Sequence, residues 1–501
     1  MLWIALHLPQ LPLQALPWSQ AGLELALPVA VAEPHRLLGA NRAARALGVQ
    51  AGQSVATALA LVPQLQVVPR DTDREAALVE RLALALAALS PSLSLTDSGL
   101  LLEVRASLRL FGGLRPLLRR ARQLARDSQL HVRSACAPTA AAAWLLATSG
   151  VIRRHRPQAR SCTQQLDRLP TDALRALLPL APRQAELLEA LGVQDLGALR
   201  ALPRAGLQRR LGHELALALD RAYGDAPDPR RWFEPPERFA CRRELMQRAD
   251  RAEVLVAAVQ VLLPALIGWL QRRWLAATTL VLRLGHEPSR YDPDRPPDTL
   301  LWLQLGTPSR DPEQLALLWR ERLQRHALIA PVYEIELVLE AAVPHGGRPG
   351  ELLPLPGQAN DEHAALLDRL VARLGADRVQ RWWPVADHRP EQAQRALPTH
   401  AALPPPAEVT AMPRPAWLLP APLPLACDPT LEQPLHDGPL RLCSRAERIE
   451  AGWHDGALVR RDYHVAEGRD HRLRWIYREH RPGPAAPASH PGGWFLHGWF
   501  G

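Results

Sequence analysis

Proline sets the first constraint on this chain: 49 of its 501 residues are proline, and they cluster. A proline has no amide hydrogen and a fixed φ, so helix interiors and central strands exclude it. Packed elements must therefore lie between the clusters at 224–236 (GDAPDPRRWFEPP), 344–356 and 397–426. The first two clusters read as linkers and the third as an extended segment. A chain of this length is expected to hold about three to four domains. Its apolar residues, 47% of the total, suffice to give each a core.

Between the clusters, residues 2–8 (LWIALHL) read as a short buried strand, with further strands at 28–32, 65–68, 93–96, 100–104 and 132–136. Residues 41–47, 54–61, 74–89, 116–128 and 140–147 read as helices. The segment 74–89 is cleanly amphipathic, with apolar residues at 77, 78, 82, 84, 85 and 88. Residues 1 to 160 thus form a mixed α/β region, and 165–222 are helical only. After the first linker, a helix–strand–strand–helix–strand order over 251–339 reads as an α+β domain. One amphipathic helix follows at 361–374. In 427–501, Trp, Tyr, Val and Ile alternate with Gly and charged residues, as in a small β module. The expected class is α+β and multi-domain.

The formal net charge is +9, and because no lysine occurs, all 60 basic residues are arginine. Such a surface favours an anionic partner, of which nucleic acid is the commonest. Each cation is a planar fork suited to phosphate or carboxylate, and lysine-based Schiff-base or general-base chemistry is excluded. The five cysteines (136, 162, 241, 427, 443) are scattered without a CxxC pair, so neither a zinc ribbon nor a disulfide framework is indicated. The apolar N-terminus lacks a basic n-region and is broken by Pro9, Pro12 and Pro17, which argues against a signal peptide. The apolar run 254–270 is interrupted by Pro264 and followed by Arg272 and Arg273. A cytoplasmic protein without a membrane partner is expected.

Four blocks then carry a resemblance. LGANRAARALGVQAGQ at 38–53, followed by 58–69, resembles the fingers of Y-family translesion DNA polymerases, where A-x-x-x-A-R-x-x-G-V-x-x-G-M precedes a helix and a P-x-L strand. PRQAELLEALGV at 182–193 with LGAL at 196–199 resembles the helix-hairpin-helix of their thumb. LFGG at 110–113 and the tail motifs ERIEAGW (447–453), RDYHV (461–465) and GWFLHGWF (493–500) are similar to ImuB-like members of that superfamily. The resemblance spans the chain in order. It implies a right hand: palm at 1–27 and 76–165, fingers at 28–75, helix-hairpin-helix thumb at 166–232, little finger at 240–343, a linker with one helix at 344–426, and a C-terminal module at 427–501.

Nucleotidyl transfer needs two divalent metals about 4 Å apart, held by clustered carboxylates. The family's first strand reads like I-D-M-D-A-F-F; here it is Ile4-Ala5-Leu6-His7-Leu8, and no Asp or Glu precedes Glu24. Aligning the family's S-x-D-E-A-Y-L-D-V on Leu102-Glu103-Val104 sets Ser98 and Gly99 at its acidic pair. The degenerate positions are therefore Ala5, His7, Ser98 and Gly99, and neither a metal nor a cofactor is expected. Asp97 is either a displaced ligand or a turn residue, and Glu103 reads as structural. His7 is either a metal ligand or a satisfied rim histidine. At the nucleotide contacts, Arg42 replaces a tyrosine and Arg45 is retained, as a phosphate contact or as packing, while Thr139-Ala140 replaces an Asn-Lys pair.

What the resemblance leaves is binding. The thumb's Gly-rich turn is Pro179-Leu180-Ala181, so Arg183 compensates on DNA or the helix pair is structural. Arg242, Arg243, Arg272, Arg273 and Arg283 of the little finger contact a duplex backbone or are solvated. The basic helix with Arg115, Arg119, Arg120, Arg122 and Arg126 is open to the same two readings. A degenerate sliding-clamp motif falls on Leu352, Leu353, Pro354 and Leu355, without the family's Gln and aromatic. Of the tail tryptophans, Trp499 with Phe500 reads as a partner anchor and the others as core. Implied partners are DNA, a RecA-like ImuA, an error-prone C-family polymerase and the sliding clamp, for a non-catalytic adaptor in damage-induced mutagenesis. The alternatives are an active translesion polymerase and a protein-only scaffold.

Overall fold

The computed structural model divides the chain into two compact units, Met1–Leu374 and Gly375–Gly501. It describes all residues except 18–26, 151–158, 289–293, 346–357, 400, 402, 405–412, 429, 481–492 and 501. The first unit opens with β1 (Trp3–His7), α1 (Leu11–Gln14), β2 (Val29–Glu33), β3 (Arg36–Ala40), α2 (Arg42–Ala46), α3 (Val55–Leu61), β4 (Gln66–Pro69) and α4 (Thr72–Leu86). There follow β5 (Ser92–Thr96), β6 (Gly99–Glu103), α5 (Leu114–Asp127), β7 (Arg133–Ala137) and α6 (Ala140–Ser149).

The sheet that matters for the site has the order β5–β6–β1–β7 and is antiparallel throughout. On one face Ile4, Leu6, Leu100 and Leu102 bury against α4 and α5; on the other, Trp3, Ala5, Leu101 and Ala135 bury against α6. Because both faces are covered, β1 reads as an unbroken apolar run, as expected of a fully buried strand. A smaller sheet, β3–β2–β4, has its own core around Ala30, Leu37, Ala44 and Val62. The helices beside it start where the side chains of Asn41 and Ser54 accept the backbone N–H of Ala44 and Thr57. Strand β3 was not anticipated: RLLGA has neither clean alternation nor β-branched residues, and its edge position is set by pairing with β2.

The helical stretch resolves into α7 (Ala159–Asp167), α8 (Pro182–Ala190), α9 (Leu196–Ala201), α10 (Arg204–Leu211) and α11 (His213–Tyr223). Its leucines join the α6 core, and the Trp144 indole donates to the Ala176 carbonyl at 3.0 Å. The next segment is not wholly loose: Phe233 N–H donates to Leu93 O of β5 at 2.7 Å.

Next come β8 (Ala240–Ala249), α12 (Ala252–Arg272), β9 (Leu275–His286), β10 (Asp298–Ser309), α13 (Pro312–Arg325), β11 (Val332–Pro344) and α14 (Gln358–Leu374). The sheet order is β10–β9–β11–β8. Strand β8 escaped the sequence reading because its buried residues Cys241, Leu245 and Ala249 recur every fourth position, across a register shift, rather than every second. Helix α12 is, among the described residues, the one helix long and apolar enough to cross a membrane, and 78% of its most apolar window is buried inside the fold. It crosses α4 at Gly268, where an added Cβ would lie 1.9 Å from the Leu84 carbonyl oxygen.

The second unit holds a hairpin of β12 (Gln380–Pro384) and β13 (Gln394–Pro398), then β14 (Trp417–Cys427), β15 (Pro434–Leu435), β16 (Arg441–Leu442), β17 (Glu447–Ala451), β18 (Val459–Glu467), β19 (Leu473–Glu479) and β20 (Trp494–Trp499). The sheet runs β15–β14–β20–β19–β18–β16, with β17 also on β18. Two expectations change here. The segment 344–426 was read as a linker with one helix, yet it contains this hairpin. The proline-dense stretch is extended at 417–427, but as β14 paired with β20. Pro420 and Pro422 are tolerated because the pairing skips them, Leu418 opposing Gly498 and Leu423 opposing Leu496, while Pro424 stands in register opposite Phe495.

The hairpin is clamped to the sheet by Arg389, whose guanidinium donates to Asp387 and Asp455 at 2.7 and 2.6 Å. His497, 1% exposed, bonds the Tyr463 hydroxyl at 2.8 Å, and burial pushes its pKa down to about 4. An unfolded histidine titrates near ~6.5. The neutral ring's contribution is therefore complete above pH ~6.5 and is lost as pH falls toward 4. A thermal melt of the intact protein is expected to show falling stability of the transition containing this unit across that window, with a flatter profile in His497→Gln. Equal pH slopes for the two proteins would refute the assignment.

Candidate functional site

Strand β1 ends at an open cleft of about 700 Å³ lined by His7, Asp97, Ser98, Trp144, Arg221 and Arg230, among others. The register explains which residues reach it. His7 stands opposite Gly99 of β6 and Arg133 of β7, while Ala5, two residues back on the same face, stands opposite Leu101 and Ala135. His7 is half-buried, with Nδ1 3.2 Å from both the Ser98 carbonyl oxygen and its Oγ, and the ring meets Trp144 edge-on at 5.5 Å. Burial lowers its pKa, so it is a neutral imidazole at neutral pH.

The four degenerate positions are thus brought together, but not equivalently. His7 and Ser98 border the cleft. Ala5 has no exposed surface, sealed into the core with Trp3, Leu101 and Ala135. Gly99 has no space for a side chain: an added Cβ would lie 2.1 Å from the Leu6 carbonyl oxygen, on the strand it pairs with. Asp97 is exposed at the hairpin tip. Glu103 accepts the backbone N–H of Leu2 at 3.0 Å, a structural tie between strands. Among the described residues no three His, Cys, Asp or Glu side chains converge to hold a metal. Cleft cations are tethered: Arg230 pairs with Asp228 at 2.6 Å, and Arg221 donates to the Pro227 carbonyl at 3.2 Å.

The other sequence candidates are spread through the first unit. Arg42 and Arg45 are exposed on α2, and Arg45 Nε donates to the Asn41 carbonyl at 3.4 Å. Thr139 caps α6 and donates its hydroxyl to Ala222 O at 2.8 Å, a packing role. Arg183 is exposed at the start of α8, where Pro182 lacks an N–H and Ala181 N–H is taken by the Gln184 side chain at 2.8 Å.

The arginines of the second sheet are mostly compensated. Across it, Arg242, Glu336 and Arg283 stand opposite one another on β8, β11 and β9. Arg242 pairs with Glu334, and Arg283 lies 3.3 Å from Glu336 and 3.4 Å from Asp298. Alternating charges in a cross-strand row stabilise the sheet itself. Arg273 lies over the Trp269 ring at 4.7 Å and donates to the Pro236 carbonyl at 2.9 Å, fastening the incoming segment. Arg243 and Arg272 are partly buried. The clamp-motif candidates Leu352, Leu353, Pro354 and Leu355 lie outside the described residues.

Residues 19–148 match the impB/mucB/samB family. Solved structures similar to this chain include a Dbh–Dpo4 Y-family DNA polymerase chimera, at 18% identity and TM-score 0.38, covering 68% of this chain and 98% of that one. DinB from Sulfolobus solfataricus is similar at 16% identity and TM-score 0.37, covering 69% and 100%. The protein ImuB of Caulobacter vibrioides, from two strains, is 30% identical over 485 residues, covering 91% of this chain and the whole of the relative. This chain belongs to the ImuB family.

The ImuB-family tail differs from expectation in one respect. Trp499 and Phe500 are not free anchors: both are partly buried against the module's own cores, and the Trp499 ring lies between His436, at 5.5 Å, and the Arg474 guanidinium, at 5.1 Å. Sheet pairing of β20 with β14 and β19 draws them in. Trp475 and Trp494 are core, as expected, but Trp417 and Trp453, read as core too, are 72% and 80% exposed. The Arg221 and Arg230 lining of the cleft was missed in the sequence, and so was Trp232, which stacks on Trp3 of β1 at 5.9 Å. Each partner lies more than two hundred residues from β1, so no local pattern marks it.

Proposed function

We propose that this chain is a non-catalytic, DNA-binding adaptor in damage-induced translesion synthesis and mutagenesis, acting in the cytoplasm on the nucleoid. In this reading 1–27 with 76–165 is the palm, 28–75 the fingers, 166–232 the thumb, 240–343 the little finger and 427–501 a family-specific module. One observation carries the non-catalytic part: where polymerase chemistry requires carboxylates, Ala5 is sealed in the core and Gly99 has a backbone oxygen where its Cβ would stand. Two hard cations need clustered anionic oxygens to stabilise the attacking and leaving groups, and a lone exposed Asp97 does not supply them.

Kinship with ImuB supports the partners: a RecA-like ImuA, an error-prone C-family polymerase and the sliding clamp. An adaptor that holds these on one chain raises their effective concentration at the primer end without chemistry of its own. The net charge of +9, all its cations arginine, supports DNA as the substrate surface.

Primer extension with Mg²⁺ or Mn²⁺ is expected to give no incorporation, while the same preparation binds primer–template DNA with an affinity that falls steeply with salt. Robust incorporation lost on mutating Asp97 would restore the polymerase reading. No DNA binding even at low salt would leave a protein-only scaffold.

A further inference from the structure

Helix α5 carries five arginines against a single carboxylate, Asp127, and Asp127 accepts from Gln123 rather than from an arginine. At 100° per residue, Arg115, Arg119, Arg122 and Arg126 fall on one narrow stripe, beside the face that buries Leu117, Leu118, Ala121 and Ala125. Like charges at i, i+4 destabilise a helix by roughly 0.2–0.5 kcal/mol per pair. No carboxylate among the described residues pairs with Arg115, Arg119 or Arg126, in contrast to the compensated Arg242 and Arg283.

The stripe leads to a second feature. Strand β7 is the open edge of its sheet. Around that edge a cavity of about 350 Å³ is lined by Arg122, Arg126, His131, Arg133 and Ser134, with Gly150 at the end of α6 and no carboxylate among the described residues of its wall. Arg122 reaches in from the α5 side, its Nε donating to Ser134 Oγ at 2.8 Å. Arg133 reaches in from the other side, its guanidinium spread over Gly150, where an added Cβ would lie 3.0 Å from Nη1. From residue 114 to 134 no large apolar side chain is exposed. A protein interface centres on aromatic or aliphatic anchors; the exposed charge of this surface is mainly guanidinium, which matches phosphate.

We propose that α5 and the open edge of β7 form a phosphate-backbone track for DNA, in which Arg115, Arg119, Arg122, Arg126 and Arg133 bind successive phosphates on the layer of the sheet opposite α6. Eleven residues of helix span ~16 Å, the axial length of about five phosphates of one strand. The track is sequence-independent, because it reaches no base edge. It deepens the DNA-binding reading above and rests on it, but it moves phosphate contact away from the cleft and from the paired arginines of the second sheet.

The test uses the full chain and fluorescence anisotropy with labelled single-stranded and duplex oligonucleotides across a salt series. Arg115→Gln, Arg119→Gln, Arg126→Gln and Arg133→Gln are combined in one variant. A control variant removes the same charge elsewhere, through Arg445→Gln, Arg460→Gln, Arg469→Gln and Arg472→Gln, all exposed on the second unit. All four track residues are exposed, so the thermal melt of the first variant is expected to match the parent or exceed it. Expected is a loss of affinity of tenfold or more and a slope of log K against log salt shallower by about three to four for duplex, or about three for single strands. The control should keep the parent's slope, and Arg119→Gln and Arg126→Gln singly should each lower the slope by about one. Parent-like affinity and slope in the track variant overturn the track and leave DNA binding standing. Equal losses in track and control variants also overturn it, as an effect of net charge alone. A parent that does not bind DNA at low salt overturns both readings. The arm that loses more tells whether single strand or duplex occupies the track.

Discussion

Writing the carboxylates back into the cleft, with Ala5→Asp, His7→Asp, Ser98→Asp and Gly99→Glu together, is expected to yield no nucleotide incorporation and a severely destabilised chain. The four positions fail for different reasons, and single variants separate them. At Ala5, with no exposed surface among Trp3, Leu101 and Ala135, an aspartate would be buried without a partner. Such a group costs about 3 kcal/mol or more, or binds a proton and ceases to be a metal ligand. At Gly99, a Cβ 2.1 Å from the Leu6 carbonyl oxygen cannot be accommodated unless β1 and β6 part. The loss there is expected to be of the same size. His7→Asp and Ser98→Asp border the cleft, so each should cost no more than about 1 kcal/mol. Denaturant melts of the four single variants check the order, and primer extension with Mn²⁺ checks the combination. Incorporation by the fourfold variant would mean that the β1–β6 end of the sheet was merely missing its ligands and had kept room for them.

Gly268→Ala is expected to reverse the usual sign of a glycine substitution. In a helix interior alanine is favoured over glycine by up to ~1 kcal/mol. At Gly268 the added methyl would sit 1.9 Å from Leu84 O and 2.9 Å from both Ala85 Cα and Ala85 O, all of them backbone atoms of α4. Backbone cannot rotate aside as a side chain can, so α12 must lift off α4 and open the contact that brings Leu84 into the core of the second sheet. A loss of about 2–4 kcal/mol is expected, within the range of overpacking and strain effects. The internal control is Gly206→Ala on α10, where nothing lies within 4 Å of the new carbon. There the same substitution should be neutral or stabilise by up to ~1 kcal/mol. Two urea melts decide it, and a Gly268→Ala chain as stable as its parent would show that the two helices do not meet at backbone distance.

Much of the first unit was legible in the sequence because its signals are local. Helices at 42–46 and 55–61 announce themselves through Asn41 and Ser54, whose side chains cap the N–H three residues on. The buried apolar run of β1 up to His7 and the amphipathic α4 are read from the residues of their own segments. Strands β3, β8 and β14 were not legible. Two lack a clean alternation, and the third is dense in proline; β8 and β14 exist because a distant strand supplies their hydrogen bonds, and β3 because it folds back on its neighbour β2. Charge was legible as a total but not as a distribution. Arg242 and Arg283 look like the arginines of α5 in the sequence, yet the first two are neutralised across a sheet, while no carboxylate among the described residues pairs with Arg115, Arg119 or Arg126.

The sequence by itself determined what is absent from β1: no acidic side chain stands on that strand, whatever its surroundings. It determined, too, the all-arginine cation set and most of the helices of the first unit. Only the tertiary structure decided that Ala5 is sealed, that Gly99 and Gly268 meet backbone atoms, that Trp499 is enclosed by its own module, and which arginines remain unpaired. These are matters of distance between residues tens to hundreds of positions apart. A residue's type fixes its chemistry, but burial and charge compensation belong to pairs, and pairs are made only when the chain folds.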